Sequence, residues 1–263
     1  MTDWRNYIAG FHALSPGITE DVLSRTSAGG LTPYDWLARA IAPEVGLALD
    51  LACGSGAMAH VLATAVPGRR TMVVGLDLSF AELRRAAHTH DQAGRLVEGD
   101  ATRLPFADGC FDAVVSSMSV MVVEQYNAVL TECARVVRAG GVLALTVSTA
   151  VPLRSSDIAL LTLLGARLRS RPQFPAGLEL TGLRDALESA GFRLLEDARE
   201  RFAFTVRDRA DADLVMRSLY LPGTPDRRRE QAAAWLAGRA ADDPDGVEVP
   251  LPVRRLVAVR QAA

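Results

Sequence analysis

"LDLACGSGAMA", residues 49–59, decides how this chain is read. An apolar run ends at Asp50, Gly54 and Gly56 follow, and then come small residues able to open a helix. Backbone bare of side chains at a strand-to-helix turn admits a ligand at close range. The helix N-terminus beyond it favours a negatively charged group. A dinucleotide, a phosphate or another adenosine-bearing molecule would suit such a turn. Gly54, Ser55 and Gly56 with Ala59 approximate the GxGxxA dinucleotide fingerprint, and Asp77 follows at the end of the next apolar run. Asp50 separates the readings. A carboxylate there would face and repel a pyrophosphate, whereas it suits a ligand that carries an ammonium group.

Outward from this turn the chain alternates strand and helix. "VGLALDLA" (45–52) reads as a buried strand, 56–66 as a helix, 71–78 as a second strand, and Ser79 caps a helix to about Ala93. Strands follow at 95–100, 111–117 and 142–148, with a helix over 125–141 whose stripe is Val129, Cys133, Val136 and Val137 and whose end is Gly140 and Gly141. Upstream, Thr32 and Pro33 start a short helix that stops before Pro43. Downstream, helices are expected at 157–171, at 179–192 between a Thr181 cap and Gly191, near 208–219 and near 225–239. Strands are expected at 193–206 and at "RRLVAV", reached through a loop, "ADDPDGVEVPLP". This rhythm predicts right-handed crossovers: an α/β, Rossmann-like, doubly wound, mostly parallel seven-stranded sheet with helices on both faces and an N-terminal helical lid. One domain is expected over 1–263: an arm or lid (1–44), a core (45–148), an inserted cap (149–178) and a C-terminal completion of the sheet (179–263).

Composition narrows the function. With 49% hydrophobic residues over 263 positions, a sizeable core is available. The net charge of −2 leaves no electrostatic footprint for nucleic acid. Every basic residue is Arg, so neither a Schiff-base lysine nor a P-loop lysine exists. Cys53, Cys110 and Cys133 are scattered and odd in number, as in a reducing compartment. His88 and His90 diverge on a helix, so no metal site is expected. The polar start and the lack of a long apolar run predict a cytoplasmic protein with no membrane segment. The oligomeric state is left open.

At this point the sequence resembles class I S-adenosylmethionine-dependent methyltransferases. "LDLACGSG" resembles their first motif, "GLDLS" their second, "EGDATRLPFADGCFDAVVSS" the third- and fourth-strand motifs, and "ARVVRAGG" the turn before strand five, in order across roughly 45–148. Ala52 stands where many members carry Gly. The resemblance implies S-adenosylmethionine as cofactor and S-adenosylhomocysteine as product. It implies that Ala52, Cys53, Gly54, Ser55 and Gly56 cradle the methionine end, with the helix N-terminus toward its carboxylate. The Ser116 carbonyl would hold its ammonium with Asp50 behind. It further implies that Asp77 takes the ribose hydroxyls, that Leu78 covers the adenine, and that Asp100 and the Ala101 N–H bind its edge.

Methyl transfer from a sulfonium needs alignment, exclusion of water and sometimes removal of a proton. The acceptor wall is expected outside the motifs. Tyr7 and Phe11 lie in the N-terminal arm, and His12 beside them is the candidate base. Met118 and Met121 sit at the sheet's carboxyl edge, and Met suits an irregular apolar acceptor. Arg167, Arg169 and Arg171, and Arg227–Arg229, read as solvated helix faces. The expected function is methylation of a small-molecule acceptor, with specialised metabolism as the expected setting. The alternative is a cyclisation, elimination or displacement on the same fold without methyl transfer.

Overall fold

The run ending at Asp50 lies at the middle of the five parallel strands of an eight-stranded sheet. The structure, a computed structural model, describes residues 2–64, 71–89, 95–175, 177 and 182–262, so His90 and the expected Thr181 cap lie outside the described residues. In chain order the elements begin α1 (Trp4–Leu14), α2 (Ile18–Leu23), β1 (Thr26–Ser27), α3 (Pro33–Ala38), β2 (Leu47–Leu51), α4 (Ala57–Thr64), β3 (Met72–Asp77), α5 (Phe80–Thr89), β4 (Leu96–Glu98) and β5 (Phe111–Ser117). A single 3₁₀ turn (Val120–Val122) precedes α6 (Tyr126–Val136) and β6 (Val137–Ser148). The chain then forms α7 (Ser155–Leu168), α8 (Leu183–Ser189), β7 (Phe192–Val206), α9 (Arg209–Ser218), α10 (Asp226–Ala241) and β8 (Val247–Arg260).

The strand order is β1-β7-β8-β6-β5-β2-β3-β4. Strands β4, β3, β2, β5 and β6 run parallel, and β8, β7 and β1 continue the sheet antiparallel. The seven expected strands are thus present, and the eighth is the two-residue β1 at the edge. From β2 the chain builds outward through β3 and β4, then returns to lay β5 on the other side of β2. The crevice at such a reversal is where open α/β sheets bind ligands.

Alternation along the central strands sorts the two faces. Leu49, Leu51, Val114, Leu143 and Leu145 pack under α6 and α8. Ala48, Ala113 and Ala144 face α3 and α4, whose Leu37, Met58 and Leu62 fill the space left by the small side chains. Thr32 caps α3 in a reciprocal capping box with Asp35, and Pro33 takes the first helical position, as the sequence predicts.

Four expectations need correction. Helix α6 stops at Val136, and Val137 already opens β6, so Gly140 and Gly141 lie in a strand rather than ending a helix. The sheet takes over because a register shift between Phe111 and Ala113 brings β6 against β5 early, and a Cβ at Gly141 would stand 2.7 Å from the Asp112 carbonyl oxygen. The last strand begins at Val247, not near Arg254, and contains Pro250 and Pro252. Those prolines are tolerated because β6 ends its pairing at Ser148–Val253, so the donors they lack face the side that β6 has left. Arg229 is not a solvated residue: its guanidinium donates to the carbonyls of Met216, Leu219 and Leu221 at 3.0–3.1 Å, closing the end of α9. Arg167 lies 3.9 Å over the ring of Trp235 rather than free in solvent.

Candidate functional site

The carboxyl ends of all five parallel strands open into a cavity of about 640 Å³. That is within the roughly 300–1,000 Å³ of ordinary small-molecule sites. Each strand end or the turn after it supplies part of the wall: Ala52 and Gly54 after β2, Asp77 at the end of β3 with Leu78 after it, Asp100 and Ala101 after β4, Met118 and Met121 after β5, Ser148 at the end of β6. Helices α1 and α2 roof it through Ile8, His12 and Glu20.

The glycine turn is tightly wound. Ala52 and Gly54 both have φ 53° and Gly56 has φ 90°. A left-handed Ala costs roughly 1–2 kcal/mol, a strain held in the wall of the cavity. At Gly54, where φ already favours glycine, a Cβ would stand 1.8 Å from Glu20 Oε1 and would push that carboxyl off the turn. That oxygen accepts the Ser55 N–H at 2.8 Å. A carboxylate oxygen therefore already rests on the bare backbone where the first helix after the turn begins. Burial and the neighbouring Glu82 push the Glu20 carboxyl up to about 7.

Asp77 is held in place by the same turn. Its Oδ2 accepts the Gly54 N–H and its Oδ1 the Ser79 N–H, both at 2.8 Å. Burial raises its pKa, and the two N–H donors only partly offset that. Asp100 accepts from the Thr102 N–H and hydroxyl at 2.9 and 2.7 Å and from Arg5 of α1. Burial works against its ionisation, but these donors outweigh it and hold the carboxyl below its usual range. Leu78, between them in the wall, is 52% exposed.

Other residues singled out in the sequence lie behind the wall. Asp50 is 1% exposed, and its Oδ2 accepts the Ala59 N–H of α4 at 3.1 Å. Burial pushes its carboxyl up to about 8. Ser116 is buried, donating to the Leu51 carbonyl at 3.0 Å and sharing a hydrogen bond with Ser119. Cys53 is buried against Gly75 between β2 and β3, and burial pushes its thiol well up. Ser55 and Gly56 are buried at the start of α4. Tyr7 and Phe11 do not reach the cavity. Arg5, Ile8 and His12 lie on the face of α1 that does, and a helix of 3.6 residues per turn sends positions 7 and 11 elsewhere. Both pack on Tyr220, with ring centroids 6.4 and 4.7 Å away.

His12 has both ring nitrogens engaged. Nδ1 lies 2.7 Å from Glu82 Oε1 and Nε2 2.9 Å from the Tyr220 hydroxyl. Burial opposes charge on this imidazole, but the hydrogen bond and charge of Glu82, with Asp77 and Glu20 beyond, hold its pKa above 6.5. Sequence reasoning missed Glu20, Glu82, Tyr220 and Arg5. Only Glu82 left a signal: it lies one turn before the buried Ala86 on the apolar stripe of α5, at 1% exposure.

Comparison with known proteins agrees with this geometry. Residues 49–145 match a family model described as a methyltransferase domain. A demethylmenaquinone methyltransferase of Thermobifida fusca is 36% identical over 115 residues, covering 42% of this chain and 47% of that protein. The chain thus spans about half the length of this curated relative. Among solved structures, a candidate methyltransferase of Bacillus halodurans C-125 matches with a TM-score of 0.59 and 19% identity, over 88% of this chain and 99% of its own. The 4+2 cyclase SpnF matches with a TM-score of 0.56 and 20% identity, over 88% and 80%. At such identities these two likenesses are of fold.

Proposed function

We propose, from the premise that residues 49–145 are a methyltransferase domain of the class I S-adenosylmethionine-dependent family, that this chain methylates a small, largely apolar acceptor. One observation carries the reading: a single cavity joins the glycine turn, Asp77 and Asp100 to an apolar chamber lined by Met118, Met121 and Phe174. The residues fit the cofactor. The Gly54–Ser55 backbone accommodates a carboxylate oxygen at hydrogen-bond distance, as Glu20 demonstrates.

In this reading the backbone of Ala52, Cys53, Gly54, Ser55 and Gly56 takes the methionine end, its carboxylate displacing that of Glu20. The Ser116 carbonyl takes the ammonium, and that positive charge favours ionised Asp50. Asp77 holds the ribose diol, Leu78 covers the adenine, and Asp100 with Ala101 binds its edge. Bound S-adenosylmethionine supplies an electrophilic methyl group on a sulfonium. The chain's own work is to exclude water beneath α1 and α2 and to align the acceptor against Met118 and Met121. Tyr7 and Phe11 act at one remove, fixing Tyr220. The relative's demethylmenaquinone substrate suggests an acceptor with an aromatic or lipophilic ring. The three free cysteines support a cytoplasmic setting.

Calorimetry of the wild type with S-adenosylhomocysteine and with NADH tests the cofactor, and S-adenosylhomocysteine release over a panel of phenols, quinols and other ring acceptors tests the reaction. Binding of NADH alone overturns the reading. The fold likeness to a cyclase favours one alternative, a rearrangement without methyl transfer. It predicts products of unchanged mass, whereas methylation adds one methylene unit.

A further inference from the structure

Resting on the methyltransferase reading, we propose that Glu82, His12 and Tyr220 form a proton-transfer chain whose cavity end is the Tyr220 hydroxyl, and that the acceptor it serves is a hydroxyl group, phenolic or enolic. The three residues come from α5, α1 and the loop after α9 and meet end to end: Glu82 Oε1 to His12 Nδ1 at 2.7 Å, His12 Nε2 to Tyr220 Oη at 2.9 Å. Glu82 Oε2 also accepts the Gly17 N–H at 2.8 Å, so its carboxylate acts as acceptor at both oxygens. Nδ1 therefore carries the imidazole proton, and in neutral His12 the free lone pair on Nε2 accepts the Tyr220 hydroxyl.

With both nitrogens engaged, His12 has no lone pair left for an acceptor. Tyr220 does: its oxygen donates to His12 and keeps acceptor capacity, and the residue is part of the cavity lining. The phenol is fixed from several sides. Its ring lies 4.7 Å from Phe11 and 6.0 Å from Phe174. Its backbone carbonyl accepts the Gln173 N–H at 3.0 Å, and the flanking Leu219 and Leu221 carbonyls are held by Arg229.

The proton balance follows. As the acceptor oxygen forms its bond to the methyl group and the sulfur–methyl bond breaks, the acceptor's O–H proton passes to Tyr220 Oη, and the Tyr220 proton passes to His12 Nε2. The product is an imidazolium between Tyr220 and the Glu82 carboxylate. Burial and the surrounding carboxylates raise the Tyr220 pKa, so the phenol relays a proton and does not rest as an anion. The groups that face the imidazole are Glu82 from α5, Asp77 from β3, Glu20 from α2 and the neutral Tyr220 hydroxyl, and the charge of the three carboxyl groups favours the imidazolium. Arg85, one turn beyond Glu82 in α5, is spent on the Pro16 carbonyl and Asp21.

Three measurements test the chain. In the wild type, kcat for a phenolic acceptor should rise with pH along a limb above 6.5, the ordinary value for His12. Glu82→Gln should move that limb to lower pH and lower its plateau, and the imidazole pKa of His12 read by NMR should fall in parallel, with or without acceptor. Tyr220→Phe should lower kcat about 10²-fold or more, with little change in S-adenosylhomocysteine affinity. Its deficit should shrink for phenols of lower pKa, which need less help losing their proton. A folded Glu82→Gln variant whose limb and imidazole pKa stay put overturns the chain, as does a Tyr220→Phe variant with normal kcat. A wild type that binds S-adenosylhomocysteine but methylates no hydroxyl acceptor overturns it too. Failure to bind S-adenosylhomocysteine defeats instead the reading beneath it.

Discussion

Glu20→Gln isolates the energetic consequence of placing a carboxyl group on the glycine turn. The amide oxygen retains the ability to accept the Ser55 N–H that Glu20 Oε1 now accepts at 2.8 Å, but the group no longer titrates. In the folded protein burial, then Glu82, lift the Glu20 pKa from 4.5 to about 7. The unfolded chain releases this proton near 4.5, while the folded chain keeps it to about 7. Between those values the folded state binds more protons, so the contribution of Glu20 to stability falls as pH rises through the window and is lost above about 7. The gap corresponds to roughly 3 kcal/mol. This is a ceiling, because Glu20 also lines the cavity. The variant escapes that loss. Urea denaturation of both proteins at about pH 4.5 and about pH 8 should therefore show Glu20→Gln gaining on the wild type by up to roughly 3 kcal/mol at the higher pH. The comparison cancels the titrating groups that do not feel the Glu20 charge; His12 and Asp50, which do, remain in the difference. A stability difference that stays constant with pH, or that turns against the variant as pH rises, would refute the reasoning.

Two further outcomes are expected. Asp77→Ala should weaken S-adenosylhomocysteine binding by roughly 10- to 150-fold, the loss of charged-acceptor hydrogen bonds of about 1.5–3 kcal/mol, with the fold intact by circular dichroism; unchanged affinity by calorimetry would remove Asp77 from the cofactor's partners. Residues 2–30 should gain hydrogen-exchange protection when S-adenosylhomocysteine binds, because α1 and α2 roof the cavity through His12 and Glu20; equal protection with and without ligand would leave them a fixed wall.

What the sequence alone determined lies within single βα units. The glycine turn follows its strand directly, Asp77 ends the next strand, and the Thr32–Pro33 cap is complete within four residues. Such features depend on backbone geometry and on neighbours a few positions away, so spacing reveals them. Boundaries were less legible where tertiary pairing overrides propensity: Val137 reads as helix but is claimed by β6, and Pro250 and Pro252 read as loop but are held in β8 by β7. The proposed proton chain left almost no trace. His12 is 70 positions from Glu82 and 208 from Tyr220, and Arg5 is 95 from Asp100. Nor did the arm's aromatic residues reveal that Tyr7 and Phe11 turn away from the cavity while His12 faces it. Contacts between distant segments have no period and no fixed spacing. They exist only once the sheet has set its strand ends side by side and the helices have packed across them.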